Sequence, residues 1–376
     1  MPQKVTINRL TLSAFRNYDH ASLNLDGRHV VLTGENGAGK TNLLEAISFF
    51  SPGRGLRRAV YADVGKQGAD AGFSIFAEVD GMDGTVEIGT GLLPGSETAS
   101  RRVRINATDA KSADELLDHL RILWLTPAMD GLFTGGASDR RRFIDRLVLS
   151  LDPTHGRRAS DFERSMKMRN KLLEEGRYDA DWIGAIEKQM AGLGVAMKMA
   201  RSELVSLLAH LADRDGSGSA FPSADLSLTG FLDGMEGLPA LDLEDQYIEL
   251  LQQGRYRDQA AGRTLEGPHR TDLNVLHRDK KIEAGLCSTG EQKALLTGLV
   301  LAHAQLTANL TGAAPILLLD EIAAHFDMRR RASLFDLIDQ LGGQAFMTGT
   351  DRHLFEALGE RALQLTVSNG SINVSS

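Results

Sequence analysis

The chain has 376 residues, 42% of them apolar, enough for a sizeable core and, at roughly 150 residues per domain, for two domains or one domain with a large insertion. Its 50 acidic residues outnumber its 42 basic ones, a formal charge of −8, so any nucleic-acid surface has to be a local basic patch on an acidic protein. A single cysteine, Cys287, excludes an internal disulfide framework, and neither a membrane span of 18 uncharged apolar residues nor the apolar core of an export signal is expected.

Val5, Ile7, Leu10 and Leu12 predict a strand ahead of Asn17 and Tyr18, and Ala21 to Leu25 alternates up to Asp26-Gly27, a hairpin signal. Val30 to Leu32 is a short apolar run that feeds a glycine-rich loop. Leu43, Leu44, Ala46, Ile47 and Phe50 then fall at helical spacing, and Pro52-Gly53 stops that helix. Residues 73–105 return to strand patterning, with Gly81, Met82, Asp83 and Gly84 as a turn. Across residues 139–212 the period is helical, through Phe162, Met166, Leu172, Ile183, Ile186, Met190, Leu193 and Met197. Two to four packed helices are expected, because Gly176, Gly184, Gly192 and Gly194 interrupt the heptads of a long coiled coil. Residues 215–240 read as a loop or short hairpin. Strand and helix resume near residue 263, and Ile316 to Leu319 forms a second apolar strand.

Three elements carry chemistry. Gly34, Glu35, Asn36, Gly37, Ala38, Gly39, Lys40 and Thr41 match G-x-x-x-x-G-K-[ST], with Asn42 following, between a strand and a helix. Glycines there let backbone amides turn onto phosphate oxygens. Lys40 is expected at the β and γ phosphates of ATP, and the Thr41 hydroxyl on Mg²⁺. The apolar strand ends on Asp320 and Glu321: Asp320 suits Mg²⁺ through water, and Glu321 suits the attacking water. Ser288, Thr289, Gly290, Glu291 and Gln292 open a helix through Leu295, Leu296, Leu299 and Leu306. Ser288 and Glu291 have capping-box spacing, and the same helix start offers a hydroxyl, amides and a dipole to an anion. About 280 residues separate the phosphate loop from the acid pair, far more than a transporter's ATP-binding subunit has.

The strings resemble the RecF family, relatives of the chromosome-maintenance ATPase heads, over nearly the whole chain. Phe15, Arg16, Asn17 and Tyr18 look like its FRNY strand, and Gly34 to Glu45 reads as its phosphate loop. Ser51 to Arg57, Pro127 with Asp130, Asp139 to Asp145, Met168 to Leu173, Gly267-Pro268-His269-Arg270-Thr271-Asp272 and Gln344 to Asp351 are similar to further family strings. Departures are Glu291 for a usual Gln, Asp-Glu for a frequent Asp-Asp, His325 in the segment before Asp327, and Gly349 for a Thr. That leaves Thr348 or Thr350 as the γ-phosphate sensor, and Asp327 as the retained acid of the loop that crosses between subunits.

The resemblance implies an α/β fold: an ABC/SMC-type P-loop ATPase head, a mixed sheet with helices, carrying an inserted mainly helical domain. The expected division is a head at 1–125 and 255–376 and an insertion at 126–254. It implies slow, DNA-stimulated ATP hydrolysis and an ATP-dependent homodimer in which Ser288 and Gly290 meet the nucleotide of the other copy. Implied partners are double-stranded or gapped DNA and the mediators RecR and RecO, in loading the recombinase RecA in the cytoplasm at the nucleoid. Another SMC-type repair head and, more remotely, a transporter subunit are the alternatives. Candidate DNA contacts are Arg54, Arg57 and Arg58, then Arg140, Arg141 and Arg142, with Arg101, Arg102 and Arg104 and Arg157 with Arg158 as further clusters. His269 and Arg270 suit either the nucleotide site or packing, and Cys287 suits packing.

Overall fold

Strand β1 (Thr6–Phe15) turns through Arg16 and Asn17 into β2 (Tyr18–Asn24), with Phe15 paired to Tyr18. The computed structural model in which this is seen describes residues 2–66, 72–82, 84–93, 101–176, 179–214, 220–235, 237–368 and 370–374. The hairpin therefore closes at Arg16-Asn17 and not at Asp26-Gly27, which instead leads to β3 (His29–Thr33) in another sheet. Arg16 takes a left-handed φ of 53°, and its guanidinium grips the fully buried Glu45 carboxylate at 2.8 and 2.6 Å. That pair holds a turn whose own sequence does not favour it. Helix α1 (Lys40–Ser48) follows β3. Strands β4 (Phe73–Gly81), β5 (Gly84–Leu92), β6 (Arg102–Ile105) and β7 (Thr108–Asp109) extend β1 and β2 into an antiparallel sheet ordered β2-β1-β4-β5-β6-β7; Asp83 of the expected turn lies outside the described residues. Strand β8 (Ile122–Leu125) comes next.

The chain then builds a second compact unit, Gly131–Gly216 with Ser223–Cys287. It contains α2 (Ala137–Leu151), α3 (His155–Glu175), α4 (Ala180–Arg214), β9 (Ala224–Thr229), α5 (Ala240–Ala261), β10 (Asp272–His277) and β11 (Ile282–Glu283). Of the four interrupting glycines only Gly176 ends a helix; Gly184, Gly192 and Gly194 lie inside α4. A Cβ on Gly194 would sit 2.9 Å from the Tyr247 ring, so that glycine lets α4 and α5 approach closely. Residues 215–219 of the expected loop lie outside the described residues, and β9 pairs with β10 rather than within its own segment. The expected return to the head at residue 255 falls within α5. The unit begins at Gly131 rather than 126 and runs on to Cys287, because six residues of β10 are bonded to β9.

Fully buried Arg169 sits at the centre of this unit. It bonds Glu187 at 3.0 Å and Asp258 at 2.7 Å, with Thr264 and the Leu251 carbonyl accepting two more of its N–H groups, while Arg255 also bonds Glu187. One guanidinium thus ties α3, α4 and α5 together with its charge compensated and four of its five donors used.

The first unit, Met1–Asp130 with Ser217–Pro222 and Ser288–Ser376, closes with α6 (Thr289–Thr311), β12 (Ile316–Leu319), α7 (Met328–Leu341), β13 (Ala345–Gly349), β14 (Ala362–Ser368) and β15 (Ser371–Val374). Its second sheet runs β15-β14-β3-β13-β12-β8, with β14, β3, β13, β12 and β8 parallel and β15 antiparallel at the edge. Every residue of β3, β8, β12 and β13 is buried, as a parallel sheet covered on both faces requires. Leu43, Leu44, Ala46 and Ile47 of α1 share one core with Leu10 and Leu12 of β1, Ile75 of β4 and Val30 of β3. At about 1.5–3 kcal/mol for each large apolar side chain, this burial anchors the helix that carries the phosphate loop.

Candidate nucleotide site

The loop from Gly34 to Gly39 joins the C-terminal end of β3 to the N-terminus of α1, where backbone N–H groups are free of helical partners. Gly39 has φ 118°, and a Cβ there would lie 2.6 Å from Asn17 Nδ2 and 2.9 Å from the Tyr18 hydroxyl. Only glycine fits. Lys40 Nζ donates to the Gly34 and Glu35 carbonyls at 2.7 and 2.8 Å. Burial lowers the Lys40 pKa, against the opposing pull of Glu321 and Asp320.

Parallel pairing of β12 with β13, and of β13 with β3, brings the acid strand to the loop. Thr41 Oγ1 donates to Asp320 at 2.9 Å, and Thr348 Oγ1 at the end of β13 donates to the same carboxylate at 2.7 Å. The Thr348 hydroxyl in turn accepts from the Glu321 amide at 2.9 Å, with Glu321 at a left-handed φ of 53°. Thr348 is therefore the threonine at the carboxylates, and Thr350 is exposed beyond the strand. A Cβ on Gly349 would meet the Phe355 ring at 2.6 Å, so the packing here leaves no room for a side chain. The donor set of Thr41 and Asp320 beside a glycine cradle fits Mg²⁺ and a phosphate chain.

Ser288 is the N-cap of α6, in a complete capping box with Glu291: Glu291 accepts from the Ser288 amide at 3.0 Å, and Ser288 Oγ accepts from the Glu291 amide at 3.4 Å. Ser288, Thr289 and Gly290 are exposed, and nothing lies within 4 Å of a Cβ built on Gly290, while Gln292 is buried. One residue further on, Lys293 pairs with Asp130 at 2.9 Å. Asp327 caps α7 by accepting from the Arg330 amide at 2.8 Å; the side chain of His325 lies outside the described residues.

The arginine clusters divide. Arg140 forms a two-point pair with Asp272, both bonds 2.8 Å, and Arg141 donates to the Thr271 carbonyl at 2.8 Å, so both half-buried guanidiniums brace the start of β10 in their own unit. Arg142 pairs with Asp139. Arg57 is bonded to Asn42 at 2.6 Å and to Glu45 at 3.0 Å. Arg101 is half-buried over Phe49 and donates to the Ser51 carbonyl at 2.9 Å, whereas Arg54, Arg58, Arg102 and Arg104 are exposed. Arg157 and Arg158 pair with Asp161 and Asp152. His269 bonds the Thr264 carbonyl at 3.0 Å and leans on Phe162; Arg270 is exposed. Cys287 is buried, as packing requires. The residues that motif reasoning left without a role are Arg16, Asn17, Tyr18 and Glu45. Asn17 donates to the Ala38 carbonyl at 3.1 Å and Tyr18 to the Gly39 carbonyl at 2.9 Å.

A phosphate loop, an acid pair separated from it by one intervening parallel strand and a capped serine-glycine helix start define an ATPase head of the ABC/SMC type. The sequence model of the RecF/RecN/SMC N-terminal domain matches residues 6–373. The DNA replication and repair protein RecF of Rhizobium leguminosarum bv. trifolii is 67% identical over 99% of this chain and 100% of its own, and that of Rhizobium meliloti is 65% identical over the same shares. The chain belongs to the RecF family. A solved structure of the recombination mediator protein RecF with ATP, in the RecFOR pathway, superposes with a TM-score of 0.86 at 20% identity, covering 100% of this chain and 99% of that one. The Smc head domain of Pyrococcus furiosus with an extended coiled coil, bound to the C-terminal domain of ScpA, gives a TM-score of 0.52 at 16% identity over 99% and 96%. Both share the fold.

Proposed function

We propose that this chain is a RecF-type DNA-repair ATPase that binds ATP with Mg²⁺, dimerises on it, and binds duplex or gapped DNA to help load recombinase at single-strand gaps. The observation that carries the reading is the convergence of Thr41 and Thr348 on the Asp320 carboxylate beside Lys40. Lys40 and the loop amides would hold the phosphates, and Thr41 with Asp320 would hold Mg²⁺, which neutralises charge on the phosphate oxygens. Glu321, next to Asp320, would take the proton of the attacking water. The exposed Ser288 and Gly290 would meet the nucleotide of a second copy, because a phosphate-binding helix start left open to solvent has a use in a sandwich of two heads. Hydrolysis would then be slow and DNA-stimulated, a switch that releases the dimer. RecR and RecO are the partners that the family implies. No helix among the described residues is long and apolar enough to cross a membrane. A cytoplasmic, nucleoid-associated location is what the family implies.

The test is binding to gapped, duplex and single-stranded DNA with and without ATP, alongside oligomeric state. ATP-dependent retention on gapped duplex is expected, and Lys40→Ala should abolish it. Retention of Lys40→Ala equal to the parent would refute the coupling.

A further inference from the structure

Three donors from outside the loop and its helix converge on two consecutive carbonyls of the phosphate loop. Ala38 O accepts from Asn17 Nδ2 at 3.1 Å and from the Gly370 amide at 3.3 Å, and Gly39 O accepts from the Tyr18 hydroxyl at 2.9 Å in addition to the Leu43 amide of its own helix at 3.1 Å. In a trans peptide the C=O and N–H of one plane point in opposite directions. The Ala38 carbonyl shares its plane with the Gly39 N–H, and the Gly39 carbonyl with the Lys40 N–H. Pulling both carbonyls outward therefore turns both amides into the loop, and an accepted hydrogen bond also polarises the amide as a donor.

The orientation of Asn17 is itself fixed. Arginine only donates. Arg57 occupies Asn42 Oδ1 at 2.6 Å, so Asn42 presents its NH₂ to Asn17 Oδ1 at 2.7 Å, and Asn17 must turn its own NH₂ to Ala38 O. Arg57 is held in turn by the fully buried Glu45, which Arg16 grips from the other side. A buried tyrosine needs one partner for its hydroxyl, and that need alone does not account for an asparagine, a second asparagine and a strand-end amide aimed at the neighbouring carbonyl.

We infer that Asn17 and Tyr18 are positioning residues for nucleotide binding, fixing the two peptide planes whose amides, Gly39 N–H and Lys40 N–H, receive the phosphate chain. The inference rests on the reading of this loop as an ATP site. Its test is titration of ATP and of inorganic triphosphate into the full chain, with parallel melting curves, for Tyr18→Phe, Asn17→Ala and Asn42→Ala.

Each variant should weaken both ligands by about fivefold, the loss of one net hydrogen bond, and the nucleotide-induced rise in Tm should shrink with it. Parallel loss for triphosphate, which has no base or sugar, places the effect at the phosphates. A merely structural role would lower the ligand-free Tm and leave both affinities at the parent value, and that result overturns the inference. Should Tyr18→Phe not fold, the two asparagine variants give the same reading. A parent chain that takes up neither ligand, with Lys40→Ala indistinguishable from it, would instead overturn the nucleotide reading and this inference with it. Binding in the parent that is lost in Lys40→Ala and unchanged in Asn17→Ala overturns the positioning role alone.

Discussion

Thr348 joins two acids of the site with one hydroxyl, donating to Asp320 and accepting from the Glu321 amide. Thr348→Val keeps the shape and removes both bonds. It should cost about 1–3 kcal/mol of stability at this fully buried position and lower ATP turnover on the order of tenfold, read as Tm and kcat. Thr350→Ala should leave turnover near the parent value. Equal losses in the two variants would contradict the assignment. The sequence left both threonines open because a strand end and the residue two beyond it project to the same face in period two; only where β13 stops decides between them. His29, at the start of β3, gives a second test. Its pKa is held below the ordinary 6.5 by burial, with the Asp339 carboxylate acting the other way, and the Ala345 amide donates to its Nδ1 at 3.1 Å. The folded protein therefore takes up this proton less readily than the unfolded chain. The stabilisation is complete above the unfolded pKa and is lost as pH falls below it. Tm should decline between about pH 7.5 and 5.5, and His29→Gln should flatten that decline. An unchanged slope would exclude His29 as the cause.

Within the second unit, α3, α4 and α5 meet on a charge and on a glycine. Arg169→Ala would leave Asp258 without its guanidinium partner and Glu187 with Arg255 alone. Breaking a buried pair from one side costs about 3–5 kcal/mol, so this variant should show a large fall in Tm. Arg169→Met, which fills the space without the charge, should not restore it, since both acids stay buried. A Tm near the parent value for either variant would refute the network's role. Gly194→Ala tests the close approach: alanine is the better helix former by about 1 kcal/mol, yet the 2.9 Å contact with Tyr247 should cost about 1–3 kcal/mol and leave a net loss. The helical texture of residues 139–212 was legible in the period of Phe162, Met190 and Met197. The length of α4 was not, because a glycine that breaks an isolated helix is tolerated where tertiary packing needs its small size. The same limit misplaced the first hairpin: Asp26-Gly27 has turn propensity, but the ion pair from Arg16 to Glu45 fixes the turn elsewhere, and 29 residues of separation hide that pair from any local pattern.

Across the whole chain, the phosphate loop, the acid strand and the capped helix were legible because each is a short string with a fixed backbone consequence. The internal bonds of Arg140 and Arg141 were not, since an arginine run reads alike whether or not it braces a strand start, and the distances to Asp272 and Thr271 show that it does. An acidic chain of net charge −8 has to gather basic surface locally, and the proposed dimer would double the exposed arginines available to one duplex. Glu321→Gln isolates that step. A glutamine at this position cannot take a proton from water, so hydrolysis should slow while Lys40, Thr41 and Asp320 remain to hold nucleotide. With ATP this variant should be a stable dimer by light scattering at micromolar concentration, and its affinity for duplex DNA should rise with dimer fraction. The affinity should also fall steeply with salt and ignore base sequence, as phosphate contacts do. Monomers that persist with ATP bound would break the link between nucleotide and assembly, and a strong preference for one base sequence would show that contacts to base edges, not to the backbone, hold the DNA.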